Sequence, residues 1–155
     1  MQFKISQLLK KIRAKGVKVA FAESVTCGLI AHKLSTIKGT SDFFTGSIVC
    51  YDTTVKTGLL NVSPALIKKY SAESKQVTEV LVKNLSKIMK ADMYGAVTGL
   101  STPDPNALHP TGTIFLCVYD GYKIFTKRKL FRGTPLVIRK KAVVAMLELI
   151  EGRIK

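Results

Sequence analysis

Three side chains with chemistry to offer stand at places where a fold would hold them still. Ser24 lies in Ala22-Glu23-Ser24-Val25-Thr26-Cys27-Gly28, between a β-like apolar run, Val17 to Phe21, and a helix-like run carrying Leu29, Ile30 and Leu34. A hydroxyl at such a strand-to-helix turn sits at the carboxyl end of a strand, beside a helix start whose unbonded N–H groups favour developing negative charge. That is where a nucleophile or an anion-binding loop would be placed. Lys56 follows a second β-like run. A lysine whose pKa is lowered by desolvation or a neighbouring cation can serve as the base for a serine, and no histidine is then needed. The plainer assignment makes Ser24 a helix cap and Lys56 a solvated charge.

Thr98-Gly99 closes a third strand-like run and could offer a hydroxyl and an open backbone N–H to an oxyanion or phosphate, or be a simple strand-ending turn. Cys27 rivals Ser24, since a thiol at a helix N-terminus gains thiolate character, with His109 as its base. Against this, a free cysteine is commonly a buried packing residue and a loop histidine a surface one. Tyr51 could stack on an aromatic base, but anchoring the strand end by packing is the expectation. Arg132 and Arg139 flank the start of the last helix, where a guanidinium can clamp a phosphate. The basic runs Lys127-Arg128-Lys129 and Arg139-Lys140-Lys141 come without a helix-turn-helix, zinc-finger or aromatic RNA-binding signature.

The 155 residues are 46% hydrophobic, which is enough for one domain spanning 1–155 to bury its core without staples. No apolar run approaches the ~20 residues needed to span a bilayer, and the start, Met1-Gln2-Phe3-Lys4-Ile5, lacks the order of a signal peptide. The expectation is therefore a cytoplasmic protein with no membrane partner. Three cysteines without a C-x-x-C pair, and two histidines, argue against a zinc or disulfide framework. Neither metal nor cofactor is expected. A net charge of +15 favours nucleic acid, anionic lipid or a phosphorylated small molecule, or is simply a basic surface.

The elements that must position these residues follow from periodicity and punctuation. Ile5, Leu8, Leu9 and Ile12 predict a helix over 2–15, packed on the sheet and stopped at Gly16. A strand over 17–22, a helix over 27–37, a polar turn Gly39-Thr40-Ser41-Asp42 and a strand over 44–51 come next. Asp52 or Thr53 caps a short helix that Gly58 weakens or ends, Ser63-Pro64 opens another to about Lys69, and Ser74 caps a longer one to about Met89. On that last helix Val77, Val80, Leu81, Leu85, Ile88 and Met89 form the apolar stripe. A strand over 93–98 leads into a long loop, Leu100 to Thr111, with three prolines. Thr113–Tyr119 and Lys123–Phe131 form a hairpin around Asp120-Gly121. A helix from Thr134 carries the stripe Val137, Ile138, Ala142, Ala145, Met146, Leu149 and Ile150. This order predicts an α/β fold, a three-layer α/β/α sandwich with a mixed, mainly parallel sheet and an antiparallel edge.

Taken together, Ala22-Glu23-Ser24-x-Thr26-x-Gly28-Leu29, Gly39-Thr40-Ser41, Phe44-x-Gly46-x-Ile48-Val49-x-Tyr51, Lys56-x-Gly58-Leu59-Leu60, Ala96-Val97-Thr98-Gly99, Pro103, Gly112-Thr113 and Phe131-x-Gly133 before Ile138-Arg139 carry a family resemblance. In order and spacing the chain resembles the C-terminal domain of the competence-damage-inducible protein CinA, a family that includes nicotinamide mononucleotide amidohydrolases. The resemblance implies metal-independent hydrolysis of the carboxamide of nicotinamide mononucleotide to nicotinic acid mononucleotide and ammonia. Ser24 would be acylated, Lys56 would be its base, and Tyr51 and Thr98 would line the site. Thr26, Gly28, Gly99 and Arg139 would bind substrate, with the loop after Thr98 and basic residues near the last helix holding the ribose phosphate. The family pattern A-E-S-C-T-G-G is altered at Val25 and Cys27, T-G-I-A-G-P reads Thr98-Gly99-Leu100-Ser101-Thr102-Pro103, G-A-V-S reads Ser71-Ala72-Glu73-Ser74, and Pro135 stands for the arginine of G-D-R. Two other readings stand beside the amidohydrolase: a catalytically degenerate module that binds a nucleotide or nucleic acid, and a Cys27-dependent hydrolase. A small-molecule nucleotide partner and a homo-oligomer complete the expectation.

Overall fold

The computed structural model describes residues 2–154; Met1 and Lys155, the two ends of the expected 1–155 domain, lie outside the described residues. Along the chain come α1 (Gln2–Ala14), β1 (Val19–Glu23), α2 (Leu29–Ser35), a 3-10 turn (Thr40–Asp42), β2 (Phe44–Val49), α3 (Thr53–Gly58), α4 (Pro64–Tyr70), α5 (Lys75–Ile88), β3 (Met93–Gly99), β4 (Thr113–Tyr119), β5 (Ile124–Leu130) and α6 (Pro135–Glu151). The five strands form one sheet in the order β2-β1-β3-β4-β5. β1 pairs in parallel with both β2 and β3, while β4 runs antiparallel to β3 and β5 antiparallel to β4. The sheet is mixed, and four of its five strands point the same way.

Alternation along the strands sorts the side chains onto two faces. Val19, Phe21, Met93, Val97, Ile114, Leu116 and Val118 share one core with residues of α1, α2 and α6. Ala20, Ala22, Tyr94, Ala96, Cys117 and Tyr119 share the other with Val77, Leu81, Val82 and Leu85 of α5. Small residues on β1 and β3 let α5 approach this second face closely. The result is the expected three layers.

Four details differ from the sequence-based expectation, each for a physical reason. The main neighbour of α1 is α6 rather than the sheet, although Ile5, Leu8, Leu9 and Ile12 are all buried as expected. Being covered by α1 as well as the sheet, α6 buries Val143 and Leu147 too, a wider face than the predicted stripe. On α5 the buried set is Val77, Thr78, Leu81, Val82 and Leu85, and Ile88 is 47% exposed at the helix end. Helix α2 starts at Leu29, two residues late, because Cys27 (φ 48°) and Gly28 (φ 86°) are both left-handed and cannot belong to a right-handed helix.

Candidate active site at the switch point

β1 and β3 lie side by side, but the chain leaves β1 toward β2 on one side and leaves β3 toward β4 on the other. Such a reversal opens a crevice beyond the carboxyl ends of parallel strands. Ser24 and Thr98 stand at that crevice: Ser24 N–H donates to Val97 O at 3.0 Å, directly before Thr98. Cys50 N–H donates to Glu23 O at 2.8 Å, which brings the end of β2 alongside. The sheet thus brings together Ser24, Thr98 and the Cys50-Tyr51 segment.

Ser24 is 5% exposed and is not the helix cap of the plainer assignment. Glu23 does that work. Its carboxylate, fully buried, accepts from Ile30 N at 3.0 Å, Ala31 N at 2.9 Å and Thr26 Oγ1 at 2.7 Å. One side chain ties the end of β1 to the first turn of α2 and fixes the loop that carries Ser24. Sequence reading missed this residue; the signal was a carboxylate closing an otherwise apolar strand.

Lys56, on α3, is 1% exposed, so it is no solvated charge. Asp52 caps this helix through Thr54 N–H. The Lys56 Nζ donates to Cys50 O at 2.7 Å and to Tyr51 O at 3.1 Å. Burial lowers its pKa below the usual lysine range, against the opposing influence of Cys50, Glu73 and Asp52. Burial also pushes the Cys50 thiol up to about 11, so at neutral pH this neighbour is uncharged. Two carbonyls thus hold the nitrogen, and among the described residues its remaining position meets no hydrogen-bond partner. Among the described residues no hydrogen bond joins Lys56 Nζ to Ser24 Oγ; a catalytic bond of this kind can tighten when substrate binds.

Thr98, fully buried, shares a 2.8 Å hydrogen bond with Thr78 Oγ1, and Thr78 Oγ1 donates to Ser74 O at 2.6 Å. Since the Thr78 hydrogen is spent on that carbonyl, Thr98 is the donor in the pair. The Thr98 hydrogen is thus engaged inside the protein, and the expected donation of its hydroxyl to an oxyanion is not available. Gly99 (φ 153°) must be glycine, because a Cβ there would lie 2.4 Å from Thr113 O. Thr78 was not foreseen, because it lies within the apolar stripe of α5.

The other candidates divide between two cavities. Thr26, Gly28 and Arg139 line a cleft of about 230 Å³ with Cys27, His32 and Leu136. The Arg139 Nε is buried without a hydrogen-bond partner among the described residues. Cys27 is exposed rather than a packing residue; Cys50 and Cys117 are the buried thiols. His109 lines a different cavity and packs edge-on to Phe115 at 5.2 Å, so no Cys27/His109 pair is assembled. Tyr51 is 59% exposed, which corrects its expected packing role and leaves its ring available at the mouth. Among the described residues no helix is long and apolar enough to cross a membrane, and no three His, Cys, Asp or Glu side chains cluster to hold a metal ion.

A mixed α/β sheet with a buried lysine and a serine at its switch point defines the class. The chain belongs to the CinA C-terminal domain family, which it matches over residues 2–154. It is 36% identical over 143 residues to a CinA-like protein of Thermosipho melanesiensis, covering 89% of this chain and 35% of that one. It is 34% identical over 116 residues to a putative competence-damage inducible protein of Bacillus mycoides, covering 75% of this chain and 27% of that one. The chain thus spans about a third of the length of such relatives. A solved structure of a CinA superfamily protein from Enterobacter cloacae superposes with a TM-score of 0.92 at 26% identity, covering 97% of this chain and 92% of that one.

Proposed function

We propose that this protein is an amidohydrolase that deamidates nicotinamide mononucleotide or a related amide through Ser24 and Lys56. The observation that carries the proposal is Lys56 itself: an amine removed from water, its pKa lowered, held by two carbonyls, at the strand edge that holds Ser24. In the proposed reaction the neutral Lys56 takes the Ser24 proton as Oγ attacks the amide carbonyl. The N–H groups of Val25 and Thr26, which follow Ser24 and donate to none of the described residues, supply the oxyanion donors. Lys56 returns its proton to the leaving nitrogen, ammonia departs, and water hydrolyses the ester on Ser24 with Lys56 again as base. Thr98, held by Thr78, braces the end of β3 beside Ser24. The Arg139 guanidinium meets the phosphate, and Tyr51 covers the ring.

Ammonia release from nicotinamide mononucleotide, measured for wild type beside Ser24→Ala and Lys56→Ala, tests this. Turnover lost in both variants supports the pair. Turnover that survives Ser24→Ala removes Ser24 as nucleophile. A folded protein that binds a nucleotide but shows no turnover supports the degenerate binding module instead.

A further inference from the structure

A second cavity, of about 290 Å³, lies between the α4–α5 junction, the 100–112 loop and the β4–β5 hairpin. Its walls bring in Lys69 and Tyr70 from α4, Lys75 from α5, His109 from the loop, Phe115 from β4 and Arg128 from β5. Four nitrogen-bearing side chains that are or can become cationic thus converge from four separate stretches of chain, and no carboxylate lines the space. Like charges gathered in this way repel one another unless an anion joins them. The fold nevertheless gathers them around one cavity. His109 is held edge-on to Phe115 at 5.2 Å, Arg128 lies 5.9 Å over the same ring, and Lys69 sits 5.1 Å over Tyr70. Glu79 reaches Lys75 at 3.8 Å and is itself engaged by the Thr126 hydroxyl at 2.7 Å. Among the described residues neither Lys69 nor Arg128 has an ion-pair partner.

We propose that this cavity binds the phosphate of a small phosphorylated ligand, a mono- or diphosphate ester, at a site distinct from the Ser24 crevice. Its volume is near the lower end for small-molecule sites, about 300 Å³. Its arrangement is concave, with cations on several sides, which suits the several oxygens of one phosphate better than a flat polyanion track. The Phe115 side chain gives the floor an apolar surface for the rest of the ester. The cavity shares no lining residue with the cleft of Thr26, Gly28 and Arg139. It does share one wall with the candidate active site, because Ser74 lines it and is linked through Thr78 to Thr98. The proposal stands whether or not the chain hydrolyses an amide.

Calorimetric titration of the full chain with pyrophosphate at physiological ionic strength tests it. The titration is repeated for Lys75→Gln/Arg128→Gln, for Lys10→Gln/Lys15→Gln, which removes the same charge from α1 and the turn after it, and for Arg139→Gln. The proposal expects a saturable site weakened by about tenfold or more in the cavity variant and unchanged in the Lys10/Lys15 variant; a separate site lost only in Arg139→Gln would be the other cleft and leaves this one in place. Equal weakening in the Lys10/Lys15 variant would make binding a matter of net charge and overturn it. Weakening confined to Arg139→Gln would place the anion in the other cleft, and the absence of saturable binding in wild type would leave no site; either result overturns it too.

Discussion

On one side of the turn after β1, Ser24, Lys56 and Thr98 are 5%, 1% and 0% exposed, and each is fixed by hydrogen bonds to strands or helices of the sheet layer. On the other side, Thr26, Cys27, Gly28 and Arg139 line an open cleft where two consecutive residues are left-handed, one of them not glycine, and a guanidinium nitrogen is buried without an acceptor. The first region engages its polar groups with neighbouring carbonyls and a threonine hydroxyl. The second keeps unmet hydrogen-bonding capacity and backbone strain. Bond-making chemistry needs fixed geometry, whereas ligand recognition can leave a donor waiting for its partner. The contrast teaches that the two tasks are supported by different parts of the same turn, and it can be broken at four points.

The largest effect is expected at Lys56. Replacement by Met should lower kcat for amide hydrolysis by about 10²–10⁴-fold, the range for loss of a positioned base, in an ammonia-release assay. Its effect on stability at neutral pH combines two opposed changes, since the Lys56 amine is no longer buried but Cys50 O and Tyr51 O lose their donor. Its folded-state pKa is lowered, so the unfolded chain binds more protons between that pKa and about 10.4. Wild-type stability should therefore rise with pH across this window, and the Lys56→Met variant should lack that rise in urea titrations. A variant that loses stability and activity together at every pH would make Lys56 a structural residue.

Next comes Glu23→Ala, which leaves three donors in the turn without an acceptor and should cost about 3 kcal/mol or more in urea unfolding. A cost below about 1 kcal/mol would mean that the turn holds itself. Arg139→Gln is expected to raise KM about tenfold with kcat little changed, the sign of a ground-state phosphate contact. A fall in kcat instead would join the two regions into one. The smallest effect belongs to Cys27→Gly, which removes a left-handed non-glycine residue. It should add up to about 1 kcal/mol of stability, part of the relief being offset by the freer unfolded chain.

Much of the scaffold could be read in advance because it rests on local rules. Asp52, Ser74 and Thr134 accept hydrogen bonds from helix N–H groups as caps at the places their types suggested, and Asp120-Gly121 turns the hairpin. The family, too, was legible in the spacing of short motifs. The parts that escaped depend on contacts between distant residues. Thr78 gains its role only by meeting Thr98, twenty positions on, and Glu23 by reaching back to α2. The burial of Lys56 could not be read from a segment as polar as Asp52–Gly58, because the neighbours that cover it come from other elements. The cavity around Phe115 was invisible for the same reason, its cations being spread from Lys69 to Arg128.

The measurement that bears most directly on the central claim is mass spectrometry of the protein acid-quenched during turnover of nicotinamide mononucleotide. The account expects an adduct equal to the substrate less ammonia on the peptide carrying Ser24, absent from Ser24→Ala. An adduct on Cys27, or full turnover with no adduct and an active Ser24→Ala variant, would contradict it.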